Sequence, residues 1–145
     1  MEHTEYYQLS LWEQDDRIQM EDFNADNQKI DAALAAKSRV ACGVYTGDGT
    51  TTRTIPLSFT PKAVLVMPTS GLLVSSSGSA GTYVRGGICT TDSPLYAYQS
   101  QHHQLVLSCT TNGFIVKQET TDYSGYHYTG QTNGNNTCYH YIAIG

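Results

Sequence analysis

Four kinds of side chain in this 145-residue sequence have types and spacings that could carry chemistry: carboxylates, histidines, thiols and tyrosines. Glycan hydrolysis generally needs two carboxylates flanking the bond, about 5–10 Å apart. Beyond residue 37 the acids are Asp48, Asp92, Glu119 and Asp122. Asp48 centres a Gly-Asp-Gly turn and Asp92 precedes Ser-Pro in a second turn, so only Glu119 and Asp122 are close enough in sequence to form a pair. No GxSxG, HExxH or phosphate-loop pattern occurs. The expectation is therefore a protein that is not an enzyme. His102, His103, His127 and His140 show neither HxH nor HxxxH spacing, so no metal or other cofactor is expected. Only one His per chain around a three-fold axis would gather three imidazoles. Cys42, Cys89, Cys109 and Cys138 include no CxxC pair. They are expected as reduced, buried thiols acting as small apolar side chains.

Tyrosine is the more suggestive type. Nine lie after residue 37 (Tyr45, Tyr83, Tyr96, Tyr98, Tyr123, Tyr126, Tyr128, Tyr139 and Tyr141), against one Trp in the whole chain. A tyrosine offers a flat apolar face, a hydroxyl and few rotors to freeze, which suits sugar rings. Tyr is also common on strands for packing reasons alone. Tyr96, Tyr98, Tyr123 and Tyr126 flank loop-like stretches. With Tyr128, His102, His103 and His127 they form the candidate ligand-binding set. In YHY at 126–128 and 139–141 the His points away from its Tyr neighbours if the segment is a strand.

The elements that must position these groups fall into two parts. In Met20–Lys37, Met20, Phe23, Asn27, Ile30 and Leu34 are spaced 3, 4, 3 and 4 apart and share one stripe of an α-helix. Acids near its start and Lys37 at its end suit the helix dipole. This stripe is the candidate oligomerisation surface, with Asn27 as the polar member that sets register in a coiled coil. A single amphipathic helix packed on its own domain is the alternative. Residues 1–19 form an acidic leader in which Leu9 and Leu11 alternate with polar neighbours and Trp12 is an anchor. The leader needs a surface to pack on: its helix, a sister chain or a larger particle.

Charge divides the chain at the same place. Residues 1–37 hold nine acids and three bases, and residues 38–145 five bases and four acids. The nearly neutral body lacks the basic patch that nucleic-acid binding requires. No apolar stretch is long enough for a membrane-spanning helix, and the N-terminus lacks the pattern of a secretory signal. Synthesis in a cytosol is expected.

From Ser38 the periodicity becomes strand-like. The predicted strands are Val40–Tyr45, Thr52–Phe59 (an edge, because of Pro56), 63–67, Thr82–Cys89, Leu95–Gln99, Gln104–Thr110, Phe114–Gln118 and Cys138–Ile144. Ala63–Met67 reads as a strand covered on both faces. Asn112-Gly113 predicts a type I′ hairpin, Ser75–Ala80 a loop and Asn133–Asn136 another. The last strand must be held in the sheet, so its removal should unfold the body. The fold class expected is mostly β: an antiparallel, jelly-roll-like β-sandwich head over 38–145, with no helix after residue 38, preceded by an oligomerisation or attachment helix within 1–37.

Three stretches resemble a known family. MEDFNADNQKIDAAL (20–34) resembles the EDFN…KID segment near the start of many phage and prophage tail proteins of Firmicutes. VYTGDGTTTRTIPLSFTPKAVLVM (44–67) and TCYHYIAIG (137–145) resemble the opening and ending of tail-fibre head domains. The resemblance implies a homotrimer in a virion or phage-tail-like particle. Its N-terminal segment would meet other tail or baseplate proteins, and its head would bind a bacterial surface glycan. A structural component without a ligand, or a glycan-degrading enzyme, are the alternatives. The stretch Gly71–Thr137, which matches no motif of the family, would hold target choice.

Overall fold

The computed structural model describes residues 2–76, 81–97 and 104–145. The chain forms two compact units, Met1–Ser38 and Arg39–Gly145. In the first, β1 (Glu2–His3) pairs antiparallel with β2 (Ser10–Leu11), and α1 spans Met20–Ala35. The leader docks on its own helix through polar contacts. The Ser10 amide donates to Asp26 Oδ2 at 2.8 Å, and Lys29 Nζ reaches both Gln8 O (2.5 Å) and Asp26 Oδ1 (3.1 Å). The backbone bond from Ser10 is the main reason the Asp26 carboxyl is held below its ordinary range. Leu9, Trp12, Phe23 and Ile30 line a shallow depression between leader and helix. The helix ends two residues before the predicted Lys37, so no base lies in its last turn.

The second unit is built from β3 (Val40–Thr46), β4 (Thr52–Pro56), β5 (Ala63–Pro68), β6 (Val74–Ser76), β7 (Thr82–Val84), β8 (Gly87–Thr90), β9 (Leu95–Tyr96), β10 (Leu105–Thr110), β11 (Gly113–Tyr123), β12 (Tyr126–Gln131) and β13 (Cys138–Ile144). It is mostly β, and among the described residues no helix follows α1. One sheet has the order β3-β13-β5-β8, all antiparallel. The other has the order β6-β7-β12-β11-β10-β9, with β4 added on β11. Its β7–β12 pair is parallel, a departure from the all-antiparallel expectation. The eleven residues of β11 change partner along their length. Gly113–Lys117 pair with β4, and Gln118–Tyr123 pair with β12.

The two sheets share one core of Tyr45, Ile55, Val64, Val66, Val84, Cys89, Val106, Leu107, Phe114, Val116, Tyr139 and Ala143. Tyr45 and Tyr139 face each other across the β3–β13 register and stack at 5.0 Å, while Phe114 meets Tyr45 edge-on at 6.2 Å. Both buried tyrosines need a partner for the hydroxyl. Tyr45 donates to Thr132 O and Tyr139 to Gln131 O, each at 2.6 Å, and Tyr139 also accepts from the Gly134 amide at 3.0 Å. The Tyr141 ring lies over Gly43, where any Cβ would stand 2.6 Å from it.

Several predicted boundaries are corrected. Thr82–Cys89 is not one strand but two, β7 and β8, in different sheets. The break falls at Gly86-Gly87, where a Cβ on Gly86 would stand 2.3 Å from Val66 O and Gly87 has φ 142°. Ser75 and Ser76 belong to a strand, and the rest of that predicted loop lies outside the described residues. The hairpin before β11 turns on Thr111-Asn112, with Thr110 paired to Gly113, so Asn-Gly is not its central pair. Gly113 is needed instead for close approach, since a Cβ there would be 2.2 Å from Ile55 O. A two-residue turn with both central φ positive, the type I′ signature, occurs at Ser124-Gly125 (50° and 82°). Cys42 is exposed and Cys109 and Cys138 are half-buried, so of the four thiols expected to be buried only Cys89 is. Burial pushes the Cys89 thiol up to about 12.

Tyr139→Phe keeps the stack but leaves the buried Gly134 amide and Gln131 carbonyl each short of a partner. We expect a loss of about 1–3 kcal/mol in urea unfolding, at the same slope. An unchanged midpoint would show that these bonds do not hold the final strand.

Candidate functional site

The hairpin of β11 and β12 gathers the largest group of the predicted ligand residues. Its register pairs Tyr123 with Tyr126, Asp122 with His127, and Thr121 with Tyr128. Directly paired residues share a face and successive residues alternate. Tyr123, Tyr126 and Tyr128 therefore line one face of the hairpin end, and Asp122 and His127 the other. Tyr123 and Tyr126 are exposed and Tyr128 is half-buried. On the opposite face Asp122 Oδ1 meets His127 Nδ1 at 2.5 Å, and Thr120 and Thr129 share a 2.8 Å hydroxyl bond. The Ser124-Gly125 turn closes the end without bulk, and nothing lies within 4 Å of the Cβ position of Gly125.

On the tyrosine face the register continues into a polar network. Thr121 Oγ1 donates to Gln104 Oε1 (2.5 Å), and Gln104 Nε2 to Glu119 Oε2 (3.2 Å). Lys117 Nζ binds Glu119 Oε2 at 2.9 Å and Thr52 Oγ1 at 2.7 Å. The Lys117 bond, followed by that from Gln104, lowers the Glu119 carboxyl from its ordinary value. Glu119 and Asp122, the one carboxylate pair close in sequence, project from opposite faces of β11 and do not face each other across a common space.

The remaining candidates are dispersed. Tyr96 is exposed on β9, two strands from β11. Tyr98, His102 and His103 lie outside the described residues. Tyr45 and Tyr139 leave the tyrosine group altogether as core residues. His140 is exposed on the outer face of β13, opposite to Tyr139 and Tyr141, as strand alternation predicts. Among the described residues no group of three His, Cys, Asp or Glu side chains could hold a metal ion. In the helix stripe Met20, Phe23, Asn27, Ile30 and Leu34 are all exposed.

The tightest polar cluster lies elsewhere and joins two loops. Asp48 Oδ1 accepts from the Thr50 amide (2.9 Å), the Thr50 hydroxyl (2.6 Å) and Asn133 Nδ2 (2.6 Å). Asn133 is fully buried and also donates to Thr50 O at 2.9 Å. Gly47 is required here, since a Cβ would stand 2.1 Å from Gly134 O. The Gly-Asp-Gly signal marks the first loop, but its pairing with Asn133, 85 residues away, is not encoded in any local pattern. Its hydrogen-bond partners are hydroxyls and amides, and the Arg53 guanidinium lies 3.7 Å from Asp48 Oδ2, so the cluster is a brace between loops. No family model, curated protein or solved structure matches the chain.

The Thr50 hydroxyl, more than any other group, lowers the Asp48 carboxyl from 3.8 to about 2. A depressed carboxyl stabilises the fold fully above its unfolded value, and that contribution is lost as pH falls through the folded value. Asp48→Asn keeps the acceptor and removes the titration. The Tm gap between parent and variant should be constant above pH 4, shrink between pH 4 and 2, and close below. A gap that does not vary with pH would contradict this assignment.

Proposed function

We propose that the chain is a phage or prophage tail-fibre head of the β-sandwich class that binds a bacterial cell-surface glycan as a homotrimer. The observation that carries the reading is the hairpin end, where Tyr123, Tyr126 and Tyr128 share one face. Aromatic faces stack on the apolar faces of sugar rings, and phenol hydroxyls bond to sugar hydroxyls. The polar neighbours Thr121, Gln104 and Glu119 offer further hydrogen-bonding groups on that side. The near-neutral body suits an uncharged or weakly charged polymer better than a phosphate backbone.

Three such sites per trimer, and several trimers per particle, would give useful avidity from weak single contacts. The stretches at 20–34, 44–67 and 137–145 support the tail-fibre reading by their resemblance to that family. The N-terminal unit would attach to other tail or baseplate proteins, and the protein would act outside the cell in a virion or phage-tail-like particle.

The test is retention of the intact chain on Firmicutes cells and on a glycan array that includes their cell-wall polysaccharides. Tyr123→Ala and Tyr126→Ala, both at exposed positions, should each weaken a retained glycan by about two- to tenfold, the effect of an aromatic contact of about 0.5–1.5 kcal/mol. No retained glycan, or equal retention by both variants, would contradict the proposal.

A further inference from the structure

The four-stranded sheet has two faces, and only one is covered by the core. Its register lays the outer face out in rows. Val40, Ile144, Ala63 and Thr90 form the first row, and Cys42, Ile142, Leu65 and Ile88 the second. Val44, His140 and Met67 form the third. None of these side chains carries a formal charge except His140 when protonated. Val40, Val44 and Ile88 are 57–62% exposed, and Met67, Ile142 and Ile144 are 42–44% exposed. Thr46 and Thr90 are polar residues at the ends of this face.

An antiparallel sheet with one face in water alternates apolar-in and polar-out. The other sheet obeys that rule: on its outer face Ser108, Ile115 and Thr54 form one row, and Lys117 pairs with Thr52. The β3-β13-β5-β8 sheet breaks the rule on every strand. Ala63–Met67 was predicted to be covered on both faces, yet within one chain only the Val64 and Val66 side is covered. The apolar surface left open by the six exposed side chains is on the order of 500 Å². That is at the upper end for the largest patch of an ordinary monomer, and a major part of the about 800 Å² each partner contributes to a stable interface.

We infer that this face is the contact between copies of the chain, and that the head itself carries the assembly interface. The inference rests on the homotrimer proposed above and deepens it. Two observations favour a second copy as the occupant. The face bears no fixed charge, so copies that bring it together meet there without like-charge repulsion. Its apolar extent also approaches what one partner of a stable interface supplies.

The test is the solution mass of the full chain, by sedimentation or light scattering, for the parent and four variants. Val44→Glu and Ile88→Glu place a charge on the face at well-exposed positions, so each protomer still folds, which strand circular dichroism checks. Thr54→Glu alters the outer face of the other sheet, and Phe23→Glu the helix stripe. The parent should run at three times 15.9 kDa, Val44→Glu and Ile88→Glu should fall to 15.9 kDa, and Thr54→Glu and Phe23→Glu should keep the parental mass. A trimer that survives both face variants and dissociates on Phe23→Glu would overturn the inference while leaving the homotrimer standing. A parent that is monomeric at all concentrations would overturn both.

Discussion

The ring and hydroxyl of Tyr139 tie the second unit together. The side chain is fully buried, stacked on Tyr45, and bonded at its hydroxyl to both Gln131 and Gly134. It belongs to the last strand, which lies between β3 and β5 in the middle of its sheet. The sheet therefore cannot be completed until β13 is in place. The same hydroxyl fixes the 131–134 backbone, and Asn133 in that segment braces the Asp48 loop. Burying an aromatic ring contributes most of the energy, and satisfying its hydroxyl fixes the register.

From that centre the second sheet extends outward. Phe114 and Val116 anchor the first half of β11 in the core, and its second half leaves β4 to pair only with β12. One continuous strand thus links the core to the tyrosine-bearing end of the hairpin. A binding surface built on a strand pair is better positioned than one on a free loop, because backbone hydrogen bonds set the spacing of Tyr123, Tyr126 and Tyr128. The outer face of the other sheet shares none of these residues, so contact between copies and contact with a ligand need not compete.

Much of this was legible in the sequence where a local period decided it. The 3-4 spacing from Met20 to Leu34 gave the helix, and the strand-like runs at Val40–Tyr45 and Cys138–Ile144 gave the paired strands β3 and β13. Alternation also separated His140 from Tyr139 and Tyr141. Period alone does not say which face turns inward, so Tyr45 and Tyr139 looked equivalent to Tyr123 and Tyr126. Glycine carried two meanings that sequence could not separate. Gly113 allows close approach to Ile55 O, whereas Gly125 allows positive φ in a turn. Ser124 gave no turn signal because a non-glycine residue rarely adopts positive φ, so the predicted strand stopped at Gln118 and β12 was not foreseen. The Asp48–Asn133 brace and the parallel β7–β12 pair depend on long-range register, which no local pattern records.

The most direct test of the account is the alkylation rate of Cys42, followed by peptide mass spectrometry against protein concentration. This thiol is exposed in the protomer and lies opposite Ile142 in the second row of the uncharged face, on its edge strand β3. If copies meet there, Cys42 reacts slowly at concentrations where the chain is assembled and at the rate of a free thiol once it is diluted to protomers. Fast alkylation that does not change with concentration, in a chain that is assembled, would contradict the account.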